Sequence, residues 1–349
     1  MGSETRSELI VLNFVLDSEH SLLSHQSDVV IALSQRFQKI RVITGNVGKF
    51  DRPDNVEIID LQWAEGKNIR NLFRLYKSFL SVIDPGRTVV FAHMADVQSA
   101  FLSPITWITR TPHYLWFAHK HLSPYLKFAS YFVSGVLTST SGSCPLSGEK
   151  ITVIGQGVDL EIFESQRNVF NPLVKCIHIG RADPSKNLRI LFEFAKYQHD
   201  LNPSFKLIQV GSPSTITAKV DFKNLCNEFE DTIDSGAIEL QSSAPRNRVP
   251  GILANADFFV HAYKGSLDKT LIESTLARLP VLTLNREYHE IFGTWSGEGA
   301  PTLEQEYQAL RKLTSLSLDQ EIERRFQIAK ESHTFTGWIG KISDILQKI

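Results

Sequence analysis

The sequence predicts an α/β protein built from two doubly wound parallel-sheet domains in tandem. Three observations carry this. Short β-branched runs alternate with helical stretches almost throughout the 349 residues. The strand runs are continuously apolar, as in TVVFAH at 88–93, which suits a parallel sheet covered on both faces. The alternation pauses at 155–172 (GQGVDLEIFESQRNVFNP) and then restarts, and the length suits two domains.

In the first half, strands are expected at 9–17, 40–45, 56–60, 88–93, 113–118, 134–138 and 151–154. Helices are expected at 23–38, 66–83, 95–108 and 122–132; in the first of these Val29, Ala32, Leu33 and Phe37 share one helical face. The pause at 155–172 has no period, so it reads as the inter-domain connection. The second half offers strands at 175–180, 205–210, 236–240, 257–262 and 280–284, with helices at 187–198, 219–232, 247–255, 269–278 and 302–332. A last amphipathic stretch, 337–348, puts Trp338, Ile339, Ile342, Ile345 and Leu346 on one side. The expected bounds are 1–165 and 166–334, with 335–349 packing back onto the first domain.

Composition excludes several classes. Apolar residues are 42% and charged residues 21%, so the chain is an ordinary globular one. Thirty-seven basic and 38 acidic side chains give no net-basic footprint for nucleic acid. Cys144, Cys176 and Cys226 lack C-x-x-C spacing and suit a reducing, cytoplasmic compartment. The first residues, MGSETRSELI, do not read as a signal peptide, and Arg6 spoils a myristoylation pattern. No apolar run approaches the ~18 residues of a membrane span. G-x-G-x-x-G, a phosphate loop, G-x-S-x-G, H-E-x-x-H and D-x-D are all missing.

In such sheets ligands bind beyond the carboxyl ends of strands, so chemistry is sought there. In IHIGRADPSKN (177–187) a strand ends at Gly180, and Arg181 and Lys186 precede a helix start. Two cations beside a helix N-terminus suit a phosphate or diphosphate; a solvated surface turn is the plain alternative. In DFFVHAYKGSLDKTLIESTLARLPV (257–281) a strand runs through Gly265, Ser266, Leu267, Asp268, Lys269 and Thr270 into a helix carrying Glu273. The amides of 266–270 suit negative charge, while Asp268 as a plain N-cap and Glu273 as a solvated helix residue are the alternatives. His119 ends the apolar run YLWFAHK, either reaching a ligand or hydrogen-bonded locally at the core edge.

Taken in order, these segments resemble the retaining glycosyltransferases of family 4, which have the GT-B fold. GRADPSKN is similar to that family's G-R-x-x-x-x-K-N segment. VIGQGVDLEIF (153–163) is similar to its V-I-x-N-G-V-D-x-x-x-F signature, and LDKTLIESTLARLPV to its E-A-x-A-x-G-x-P-V helix. The resemblance spans essentially the whole chain. It implies two Rossmann-like domains facing across a cleft, an acceptor in the first and a nucleotide diphosphate sugar, UDP- or GDP-linked, in the second. Arg181 and Lys186 would hold the diphosphate and Glu273 the ribose. The loop 265–269 would offer amides to the distal phosphate and sugar, and His119 would contact the sugar near the reacting carbon. The implied reaction moves a hexose-type sugar with retention to a hydroxyl of a glycan or lipid-linked acceptor. It needs no cofactor and no metal.

The sequence also departs from the family. The position eight before Glu273, often a second glutamate, is Gly265, and Asp268 is the nearest carboxylate that could take over its contacts. Arg278 replaces a frequent Gly, and LDSEHSLLSHQ (16–26) replaces a Gly-rich loop. A GT-B nucleotide-sugar epimerase and a non-catalytic nucleotide-sugar binder are the competing readings. Segment 110–132 mixes Arg110, His113, Lys120, His121 and Lys127 with Tyr114, Trp116, Phe117, Tyr125, Phe128, Tyr131 and Phe132. It reads either as strand core plus a covering helix or as a peripheral membrane face for a lipid-linked acceptor.

Overall fold

The structure, a computed structural model, describes residues 6–20, 23–64, 68–164 and 173–348. The chain divides into two compact units. The first comprises Met1–Gly155 with Thr336–Ile349, the second Gln156–Phe335.

In the first unit, β1 (Glu8–Leu16), β2 (Lys39–Val47), β3 (Val56–Asp60), β4 (Thr88–His93), β5 (His113–Trp116), β6 (Gly135–Thr138) and β7 (Ile151–Val153) pair in the order β3-β2-β1-β4-β5-β6-β7. Every pairing is parallel, with Leu12 opposite Ile43 on one side and Ala92 on the other. Between strands lie α1 (His25–Ser34), α2 (Asn68–Val82), α3 (Asp96–Ile108) and α4 (Pro124–Phe132). The central strand β4 is completely buried, which is why it reads as continuous apolar sequence, whereas the outer strands β3 and β7 are partly exposed. Ser123 starts α4 by accepting a hydrogen bond from the Leu126 amide at 3.0 Å, and Pro124 stands at its first position.

The second unit carries β8 (Lys175–Ile179), β9 (Lys206–Val210), β10 (Ile238–Gln241), β11 (Phe258–His261) and β12 (Val281–Thr283), all parallel in the order β10-β9-β8-β11-β12. Its helices are α5 (Leu160–Phe163), α6 (Leu188–Leu201), α7 (Ile216–Glu228), α8 (Glu230–Asp234), α9 (Val249–Leu253), α10 (Lys269–Leu276), α11 (Arg286–Phe292), α12 (Leu303–Arg311) and α13 (Ser315–His333). The chain then returns to the first unit as α14 (Phe335–Gln347). There Trp338, Ile339, Ile342 and Leu346 are buried, and the Trp338 ring meets Trp116 edge-on at 4.9 Å. Full burial of each such side chain stabilises by roughly 1.5–3 kcal/mol.

Four expectations need correcting. The connection is not wholly irregular: Asp159 accepts from the Glu161 amide at 3.0 Å and caps α5, whose Phe163 lies in the second core. Val158 pairs with Thr334, so 156–164 belongs to the second unit; residues 165–172 lie outside the described residues. The single helix expected at 302–332 is two, because Thr314 accepts from the Ser317 amide at 3.2 Å and starts α13 afresh. The helix expected at 219–232 is broken at buried Phe229 into α7 and α8. Helix α11 was not anticipated, since seven residues show too little period.

Candidate functional site

The carboxyl ends of β8, β9, β11 and β12 bring most of the expected donor-site residues together. Gly180 follows β8 directly, and its amide donates to the Val210 carbonyl at 2.9 Å. Gly211, after β9, has φ +136°, and a Cβ there would lie 2.0 Å from the Gly180 carbonyl oxygen. Only glycine lets these two strand ends meet so closely. Arg181 leaves this point half-exposed, with its guanidinium 3.3 Å from Asp183. Asp183 in turn accepts from the Ser214 amide at 2.8 Å and hydroxyl at 2.7 Å. Burial pushes the Asp183 carboxyl up, but the Ser214 hydrogen bonds and Arg181 outweigh it and hold it below the ordinary range.

Lys186 ends a short helical turn, Pro184–Lys186, and is buried. Asn187 then takes a left-handed conformation (φ 52°, ψ 43°), and its side chain donates to the Ala262 carbonyl at 3.0 Å. The Lys-Asn pair is thereby tied to the end of β11. The Lys186 ammonium forms an ion pair with Asp268 and sits 4.4 Å over the Tyr263 ring.

Asp268 precedes α10 but makes no side-chain cap, because its carboxylate is engaged elsewhere. Besides Lys186 it meets His261 Nε2 at 3.4 Å, and His261 Nδ1 meets the Thr283 hydroxyl at 3.1 Å. Burial alone would raise the Asp268 carboxyl; the His261 hydrogen bond and the Lys186 charge dominate and hold it well below the carboxylate range. Burial likewise lowers His261, against the pull of Asp268. His178 is driven down to about 3 by burial and by neighbouring His261, and its Nδ1 lies 3.0 Å from the Val260 carbonyl. Both imidazoles are neutral at physiological pH.

The loop between β11 and α10 is held from α11. The Asn285 side-chain amide donates to the carbonyls of Tyr263 (3.2 Å), Gly265 (3.1 Å) and Ser266 (3.3 Å). Glu287 accepts from the Leu267 amide at 2.9 Å. Ser266 and Leu267 are buried, while Lys269 and Thr270 open α10. The Asp268 carbonyl takes the Leu271 amide at 3.2 Å, and the positive end of the α10 dipole at this N-terminus suits an anion. A Cβ at Gly265 would fall 2.0 Å from the Tyr263 hydroxyl, so a side chain there would have to displace that ring. Tyr263 therefore fills the space next to the residue where the resembling family often has glutamate.

Glu273 lies on the second turn of α10, buried and not solvated, 3.1 Å from Arg246. Burial raises its carboxyl above the ordinary range, against Arg246 and Lys269. His119 belongs to the first unit, exposed beyond the carboxyl end of β5, its ring 6.2 Å from Phe117. Among the described residues no three His, Cys, Asp or Glu side chains converge in a metal-holding group.

Sequence reasoning missed His261, Tyr263, Arg246, Asn285 and Glu287. For His261 and Tyr263 a signal existed, as polar residues ending a buried strand. Arg246, Asn285 and Glu287 come from elements with no motif of their own.

No protein-family model matches the sequence, and neither does any curated protein sequence. Solved structures do match. HepE (Alr3699) of Anabaena, crystallised in complex with UDP, is 15% identical, with TM-score 0.74 over 98% of this chain and 100% of its own. A glycosyltransferase from Rickettsia africae is 14% identical, with TM-score 0.70 over 98% of each chain. The lipopolysaccharide outer core galactosyltransferase WaaB is 10% identical, with TM-score 0.68 over 98% of this chain and 100% of its own. At such identities the likeness speaks for architecture, and with parallel α/β sheets of seven and five strands the chain has the GT-B fold.

Proposed function

We propose that this chain is a retaining, metal-independent glycosyltransferase that takes a hexose-type sugar from a nucleotide diphosphate sugar. The observation that supports it most is the meeting of Arg181, Lys186 and the N-terminus of α10 at one end of the second sheet. HepE, which shares the fold, has been crystallised with UDP-glucose, and a UDP-sugar is the first donor to try. On this proposal the second unit takes the donor and the first the acceptor, a glycan or lipid-linked hydroxyl.

As the glycosidic bond breaks, the sugar becomes oxocarbenium-like and the leaving phosphate gains charge. Arg181, half-exposed and paired with Asp183, would meet that charge directly. Lys186 adds a positive field from a fixed position on Asp268. The α10 amides add fixed dipoles that need no reorganisation. Glu273, with Arg246 beside it, would receive the ribose hydroxyls. His119 would act from the first unit near the reacting carbon. The departing phosphate takes the acceptor proton, so no protein base is required.

Thermal-shift measurements with UDP-, GDP-, ADP- and TDP-sugars should single out one base. With that donor and an acceptor panel, Arg181→Ala should lower both donor affinity and turnover, the latter about 10²-fold. Unchanged values for both would remove the diphosphate assignment. Tyr263 filling the space beside Gly265 favours one second reading, a nucleotide-sugar binder without turnover. Donor binding with no transfer to any acceptor would establish that instead, and conversion of the donor without an acceptor would point to an epimerase.

A further inference from the structure

We propose that the outer face of α2, α3 and α4 docks onto the surface of an anionic lipid bilayer. The three helices share one core: Leu75 and Phe79 of α2, Leu102 of α3 and Leu126 of α4 all pack with Leu12, Ala92 and Leu115 of the first sheet. Tyr76 of α2 donates to the Phe101 carbonyl of α3 at 3.1 Å. The Phe101 and Tyr125 rings, 6.1 Å apart, and those of Trp107 and Phe132, 6.0 Å apart, join α3 to α4.

Away from that core the helices remain apolar. Ile69, Phe73 and Leu80 form an outward stripe on α2, Trp107 and Ile108 end α3, and Tyr125, Phe128 and Tyr131 recur every three residues on α4. Phe73, Trp107 and Tyr131 are each more than 60% exposed. Five of the six exposed aromatics among the described residues lie here; the sixth is Tyr197. Scattered exposed apolar residues are ordinary, but a concentration of this kind marks an interaction surface.

Charge selects the occupant. Between residues 68 and 148 there are seven Lys or Arg and two Asp or Glu, in a chain that carries 37 and 38 overall. One of the two acids, Asp96, accepts from the Ser123 hydroxyl at the start of α4; the other, Asp84, follows α2. Arg70, Lys77, Arg110, Lys120 and Lys127 are exposed around the aromatics. A second copy of this face would oppose like charges. An anionic headgroup layer meets both features: each nearby cation is attracted to it, and Trp and Tyr favour the interfacial depth. No helix among the described residues is long and apolar enough to cross a membrane, so the contact is peripheral. The inference is independent of the donor site.

The full chain should float with vesicles containing roughly a third phosphatidylglycerol and several-fold less with pure phosphatidylcholine, the difference shrinking in high salt. The paired variant Phe128→Ser/Tyr131→Ser, and separately Arg70→Glu/Lys127→Glu, should each lower recovery about fivefold or more while melting like the parent. Tyr197→Ser/Leu201→Ser, exposed residues of α6 in the second unit, should change nothing. Brominated lipid should quench tryptophan emission in the parent and much less in Trp107→Phe. Failure to float with anionic vesicles overturns the proposal. So does equal loss in the α6 variant, or a concentration-dependent dimer that the Phe128/Tyr131 variant abolishes.

Discussion

Lys186 is held by a carboxylate below it and an aromatic ring beside it, so its charge is positioned before any ligand arrives. Lys186→Met would leave the Asp268 carboxylate with His261 alone in a mostly buried setting. Breaking one side of such a pair should cost about 3 kcal/mol, read as a fall in unfolding free energy in urea. Lys186→Met/Asp268→Asn should regain most of that while donor affinity stays low. If the double variant melts no higher than the single one, the pair is not what stabilises this corner. Gly265 lies against the same Tyr263 ring. Its lack of a side chain belongs to the packing of Tyr263, so Gly265→Ala should displace the ring that Lys186 rests against. Arg181, Lys186 and Glu273 stand out in the sequence because motif, strand end and helix start coincide on them, and their placement at the carboxyl end of the second sheet follows from the same elements. Asp268 was legible as a position but not in its role, since only the fold brings His261 and Lys186 to it.

Among elements, α11 matters most to the site although its seven residues show no usable period. Asn285 caps it, accepting from the Tyr288 amide at 3.0 Å, and the same side chain donates to the loop before α10. Asn285→Ala removes both functions. It should destabilise by about 1–3 kcal/mol and weaken donor binding, measured by denaturant titration and by calorimetry. A variant that loses stability and binds donor normally would show that the loop does not depend on this anchor. The strands of both sheets were readable from their unbroken apolar runs. Helix breaks were not: Thr314 and Phe229 act through one cap and one buried ring, signals too local for a period to reveal.

For the molecule as a whole, two fully buried histidines set a pH dependence. Burial lowers both His113 and His178 to about 3. His113 is packed between the hydroxyls of Ser99 and Thr106, each 3.2 Å from a ring nitrogen. Their ordinary value is 6.5, so the unfolded chain takes up protons that the native state refuses. Stability is therefore complete above about pH 6.5 and falls as the solution is acidified toward 3. At pH 5 each histidine should have withdrawn about 2 kcal/mol. Melting temperature measured from pH 7.5 to 5 should drop, and His113→Asn should flatten the slope by one histidine's share. A flat profile in the parent would contradict the neutral assignments. The two-sheet architecture was legible from chain-long alternation, whereas the division at Gly155 was not, because it depends on Val158 meeting Thr334.

Placing α14 in the first unit has a consequence for biosynthesis. A ribosome makes residues 156–335 between the two pieces of that unit. The second unit can therefore complete its core while the first still lacks Trp338, the ring that closes over Trp116 and His93. Until α14 emerges, that side of the nascent first sheet stays uncovered and open to chaperones. A premature stop just before Phe335 would leave a finished second unit attached to a first one exposed to proteolysis.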